Sequence, residues 1–194
     1  MTTTSPSAAA APLVAKPRPP RAPRAAVPAL PPMDALDRTH HRMVGALADL
    51  AKLVDHLETA GVDTEARRTA KAICKFFSET ARQHHADEET LVFPALIRQG
   101  DPVLIGHVLR LQQDHGWLEE DWLELALQLQ AVAEGYSWYE LDSLRQGVGV
   151  FAALYQEHIA LEESLVYPEA RRQMAAEDAS RAQRLAAGGK PGAA

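Results

Sequence analysis

Two stretches of one chain carry the same mixture of imidazole, carboxylate and apolar side chains. HHADEETLVFPAL at residues 84–96 is echoed 74 positions later by HIALEESLVYPEA at residues 158–170. Each holds a histidine followed four residues on by a glutamate, His84 with Glu88 and His158 with Glu162. On an α-helix that spacing sets both side chains on one face. Imidazole nitrogens and carboxylate oxygens together form a donor set that suits iron, manganese or zinc. A carboxylate can span two ions and an imidazole cannot, so two ions fit the pattern better than one. No cysteine stands in line with these residues, which counts against a structural zinc site.

Two more histidines join the pattern. His40 falls in the stripe Leu36, His40, Met43, Leu47, Leu50, Val54, and His115 in the stripe Leu104, Val108, Leu111, His115, Leu118, Trp122, Leu125. The repeated pair lies in the stripes Ile73, Phe77, His84, Glu88, Leu91 and Leu144, Phe151, His158, Glu162, Leu165. Steps of three and four are those of amphipathic helices. Three breaks separate the stripes: Gly61-Val62-Asp63, Gly100-Asp101-Pro102 and Gly135-Tyr136-Ser137. Each puts a glycine where a helix C-cap is wanted and a capping residue after it. Asp101-Pro102 reads as N-cap and first helical residue, and Ser137 with Glu140 as a capping box. Four long helices with short connections predict an all-α, antiparallel up-down-up-down four-helix bundle. Pro94 and Pro168 fall inside helical patterns and are expected to kink or end a helix locally.

In an antiparallel hairpin, residues equidistant from the turn share a height. His40 and His84 are centred on residue 62, His84 and His115 beside Gly100, and His115 and His158 just after Gly135. All four imidazoles therefore fall in one layer, within about one 5 Å turn. Burying Glu88 and Glu162 beside each other with nothing to compensate them would cost several kcal/mol. A cation removes that cost. The spacing is not the Glu-x-x-His of ferritin-like di-iron sites, a motif that occurs nowhere in this chain. Phe77, Phe151, Leu47 and Trp122 are expected to form an apolar roof about 10 Å from the layer. His41 and His85, about 100° around the helix from their neighbours, are expected at the surface. His56 is assigned to a far face, His107 to a different height and Cys74 to the core, while Tyr155 reads equally as a support to the site or as packing.

The four quoted motifs, LDRTHHRM, HHADEETLVFPAL, QDHGWLEEDW and EHIALEESLVYPEA, together resemble the haemerythrin family, in particular its bacterial His-His-Glu cation-binding branch. The resemblance covers about residues 33–170. It implies a non-haem di-iron centre with two iron ions, in which His40, His84, His115 and His158 are terminal ligands and Glu88 and Glu162 are bridges. Oxygen-carrying members have a second helix-three histidine, where this chain has Leu111 or Glu119, depending on alignment. Glu119, Glu89, Glu163 or water is then expected to fill that place. The implied function is binding of iron and a small ligand such as O2, for storage or sensing. The alternatives are an enzyme turning over peroxide or nitric oxide, or an iron-responsive regulator contacting a partner through its basic arm.

Composition sets the frame. The net charge is −6, yet residues 1–32 hold Lys16, Arg18, Arg21 and Arg24 and no acid, so the remainder is more acidic still. An acidic body argues against a nucleic-acid groove. No apolar run is long enough to span a membrane, and the single cysteine suits a reducing cytoplasm. The expected organisation is a disordered Pro/Ala-rich arm (1–32), the bundle (33–170), a helical C-terminal extension (171–187) and a flexible tail (188–194).

Overall fold

The computed structural model describes residues 33–188. The expected arm, and all of the expected tail except Gly188, lie outside the described residues. Among the described residues every regular element is helical, in four rods. Helix α1 (Met33–Ala60) is the first. The second is composite: α2 (Thr64–Lys75), a π-helical turn (Phe76–Ala81), α3 (Arg82–Asp87), a second π turn (Glu88–Val92) and α4 (Phe93–Gln99). Helix α5 (Pro102–Glu134) is the third, and the fourth runs through α6 (Leu141–Leu161), a π turn (Glu162–Val166) and α7 (Tyr167–Gly188).

The predicted breaks are the observed connections. Gly61, at φ 70°, and Gly135, at φ 95°, take the left-handed conformation that glycine adopts without steric cost. The Asp63 carboxylate accepts the Ala66 N–H at 2.8 Å, and Asp101 accepts those of Val103 and Leu104 at 2.9 and 3.0 Å. Two otherwise unpaired helix starts are thereby capped. The Ser137–Glu140 capping box does not form. Glu140 itself is the N-cap of α6, without a side-chain bond, and its N–H donates to Gln128 Oε1 at 3.1 Å. That bond from α5 satisfies a donor the box would have served.

Each rod packs on two others: α1 on α2 and α6, and α5 on α2 and α6. The buried apolar residues form two clusters. One contains Met43, Leu47, Phe77, Leu118, Trp122 and Phe151; the other contains Leu36, Phe93, Leu96, Val108, Leu111 and Tyr167. Along α1, His40 stands between Leu36 of one cluster and Met43 of the other, so a polar layer divides the core.

Neither proline ends its rod. Each follows a π turn, where Phe93 N–H donates to the Glu88 carbonyl and Tyr167 N–H to that of Glu162, five residues back. The widened turn gives the proline ring room from the carbonyl it would strike in an α-helix. The extra residue also moves the buried stripe. Leu165, expected inside, is 47 % exposed, while Val166 and Tyr167 are buried. Leu91 likewise yields the core to Val92 and Phe93.

Candidate metal centre

The structure brings His40, His84, Glu88, His115, His158 and Glu162 together in the buried layer. Both carboxylates are 0 % exposed. Glu88 sets Oε1 3.4 Å from His84 Nε2 and Oε2 3.5 Å from His115 Nε2. Glu162 sets Oε1 3.3 Å from His158 Nε2 and Oε2 3.1 Å from His40 Nε2. Each carboxylate thus offers one oxygen to each of two positions. The His40 position is framed by His40 and His84, whose Nε2 atoms lie 3.0 Å apart. The His115 position is framed by His115 and His158, with ring centroids 4.8 Å apart. In both sets, two histidines and two shared glutamates, the donor atoms lie within 4.8 Å of one another.

A pair of cations fits this set by its unmet polar atoms. Buried side-chain atoms without a hydrogen-bond partner include Glu88 Oε2, both Glu162 oxygens, His115 Nε2, both His158 nitrogens and His84 Nδ1. Folded proteins leave few such atoms, and nearly all those of the described residues converge here. The electrostatics carry the same strain. Burial, with Glu162 nearby, pushes the Glu88 carboxyl up to about 7, and burial pushes His84 down to about 3. Burial also opposes charge on His158 and Glu162, but their contact prevails: His158 is held up to about 10 and Glu162 well below the usual range.

Further groups fix the rings from outside. Glu163 Oε1 lies 3.1 Å from His40 Nδ1 and Glu89 Oε1 lies 2.9 Å from His115 Nδ1. Carboxylates there hold each ring with Nε2 facing inward. The buried Asp114 places an oxygen 3.8 Å from His158 Nδ1. Glu89 and Glu163 therefore contact ring nitrogens from outside, lie in none of the donor groups and do not fill the place expected to be vacant in helix three. Nor does Glu119, which pairs with Arg82 at 3.1 Å and is half-exposed, or Leu111, which packs in the apolar cluster.

Two residues enter that the sequence reading left out. Tyr167 stacks on His40 at 5.1 Å between centroids and its hydroxyl donates to Glu88 Oε1. Its counterpart in the repeat, Phe93, stacks on His115 at 5.7 Å. The π turn is the reason: at α-helical pitch, five residues past Glu162 would point about 140° away. His85, expected at the surface, instead stacks on His115 at 4.1 Å, and its ring centroid lies 5.5 Å from that of His158. The inward arc of a bundle helix spans 100° or more, so His84 leans toward α1 and His85 toward α5.

A family profile, the Hemerythrin HHE cation binding domain, matches residues 32–170. The chain belongs to the haemerythrin family. A Haemophilus influenzae protein described as uncharacterized is 31 % identical to this HHE domain protein over 126 residues, 65 % of this chain and 71 % of the relative. No solved structure matches it. Phe77, Trp122 and Phe151 pack with centroids 5.0–5.9 Å apart, as a roof should, and Leu47 joins the same cluster. Tyr155 packs on Phe77, Phe151 and His85. His41 is exposed, bonded to the Asp37 carbonyl, and His56 pairs with Asp63 on the outside. His107 belongs to none of the donor groups. Cys74 is partly buried against the core, and burial pushes its thiol up to about 11.

Proposed function

We propose that this chain is a non-haem di-iron protein that binds a small ligand such as O2, in storage or sensing. The observation that carries this reading is the pair of buried carboxylates, each reaching one histidine of both positions. His40 and His84 would hold one ion, His115 and His158 the other, with Glu88 and Glu162 shared between them. The rods would alternate in direction, as an up-down-up-down bundle requires. Bound iron would supply redox change and open coordination for the small ligand. The protein's own residues do the rest. Glu89 and Glu163 orient rings, while Leu118, Phe77 and Phe151 keep water from the apolar side. Tyr167, whose ionisation is pushed far up by burial and by Glu88, keeps its proton at the phenol oxygen.

That phenol favours a second reading, turnover of peroxide or nitric oxide, because it sets a proton donor against Glu88. Anaerobically purified protein should bind two irons per chain and develop charge-transfer absorption in air. Fewer than two irons per chain, with no such band, would overturn the proposal. Repeated consumption of peroxide or nitric oxide per chain would favour the enzyme; stoichiometric binding alone favours the carrier or sensor.

A further inference from the structure

The two positions are built from a repeat, but their surroundings are not equal. The His115 position has a neighbour that the His40 position lacks. His85, His115 and His158 offer ring nitrogens that all lie within 4.8 Å of one another. His85 Nε2 is buried and has no hydrogen-bond partner. In the repeat, the residue matching His85 is Ile159, which is buried and has no donor atom. An imidazole turned into a packed aromatic cluster with its free nitrogen unmet costs free energy that phenylalanine would not.

We infer that His85 is a third nitrogen donor to the ion held by His115 and His158, so that the centre is unequal, three nitrogens on one side and two on the other. The inference rests on the two-ion reading above. It places the nitrogen missing from the third rod on the second rod instead. From α3 the ring reaches the same position by leaning toward α5. A cleft of about 300 Å³, lined by Arg82, His85, Glu89, His115, Glu119 and Trp122, opens beside it. The His85 ring therefore stands between that cleft and the centre.

The test compares wild type with His85→Phe, which keeps an aromatic ring of similar size and removes the donor. Iron binding is followed by competition with a chromophoric chelator, and the iron-loaded proteins by X-ray absorption and Mössbauer spectroscopy. Wild type should bind two ions, show unequal iron sites and average between two and three imidazoles per iron. The variant should keep one ion at wild-type affinity and bind the other at least about 100-fold more weakly, by comparison with losses from supporting groups alone. Two ions of unchanged affinity and unchanged spectra in His85→Phe would overturn the inference and leave the di-iron reading standing. Fewer than two ions in wild type would overturn both. If the phenylalanine variant fails to fold, His85→Ala with added imidazole decides. Affinity restored through the adjoining cleft supports a ligand role, and a tight second ion without imidazole refutes it.

Discussion

The His40 and His115 positions are two readings of one repeat, and they differ at just the places where the repeat differs. Both have two imidazoles, an oxygen from each glutamate and an outer carboxylate, Glu163 or Glu89, on one ring. Past that, the His40 position is covered by the Tyr167 phenol, and the repeat supplies it with no counterpart of His85, since the matching residue is Ile159. The His115 position is covered by the Phe93 ring, has His85 at its side and Asp114 behind His158. One side has a proton-bearing oxygen and fewer nitrogens; the other has more nitrogens and an apolar cover. The shared carboxylates make the halves one centre, and the unshared residues make them unequal.

Removing what the halves share should have the largest effect. Glu88→Ala or Glu162→Ala should abolish binding of both ions, with affinity falling well over roughly 100-fold, the upper end of what supporting groups cost. Metal analysis after dialysis checks this. A variant that keeps two ions would break the picture of common carboxylates.

Next come the histidines proposed to hold one ion each. His40→Ala should weaken one ion by about 100-fold and His115→Ala the other, each leaving one ion per chain. Titration with a competing chelator reads this directly. If both substitutions cost the same ion, the division into halves is wrong. Glu163→Gln and Glu89→Gln act one step further out and should lower the affinity of their own side by about 10-fold.

The exchange Tyr167→Phe with Phe93→Tyr sharpens the comparison at smaller cost. Losing the phenol should leave both ions bound but change the spectrum and small-ligand affinity by about threefold to tenfold, as the loss of one hydrogen bond of ordinary strength allows. Phe93→Tyr alone should change neither if the His40 side is where the phenol acts. Equal effects of the two substitutions would argue that the cover residues are interchangeable.

Cys74 offers a reference outside both halves. Its thiol is pushed from 9.0 to about 11 by burial, so the folded protein binds more protons than the unfolded chain between those values. Stability should fall as pH rises through that window, and Cys74→Ala should remove that small slope while leaving metal binding untouched. Chemical denaturation across pH 8 to about 11.5 checks the sign. A slope that survives the substitution assigns it elsewhere.

Much of this was legible in the chain. The three breaks and four stripes depend on glycine, capping residues and steps of three and four, all local properties, and the histidine layer followed from symmetry about the turns. Six donor residues came together as the spacing required. What escaped was whatever depended on helical phase. Uniform α-helical pitch carries the stripe to Leu91 and Leu165, and the π turns carry it to Phe93 and Tyr167 instead. The signal was present as the paired Glu-x-x-x-x-aromatic-Pro, since a proline four residues after a helical carbonyl needs extra room. His85 escaped for a different reason. The step of about 100° from His84 points it to the surface, yet the inward arc of a bundle helix is wide enough for both, and its echo Ile159 is buried as well. Ser137 misled because a side chain from α5, Gln128, competes for the same backbone.

The π turns at Glu88 and Glu162 can also be regarded as spacers one residue long. Deleting Leu165, which is already exposed and packs little, would let the fourth rod close to α-helical pitch. Tyr167 would then stand four residues after Glu162 at that pitch, about 40° from it, and would keep nearly the face it has now, because the widened turn only offsets the extra residue. The ligands themselves would stay where they are. A one-residue change in length that the turn does not absorb, with no substitution at the centre, would instead rotate α7 by about 100° and strip the His40 side of its phenol. In this architecture, chain length between glutamate and proline sets which aromatic group meets the site, much as tooth count sets the phase of a gear.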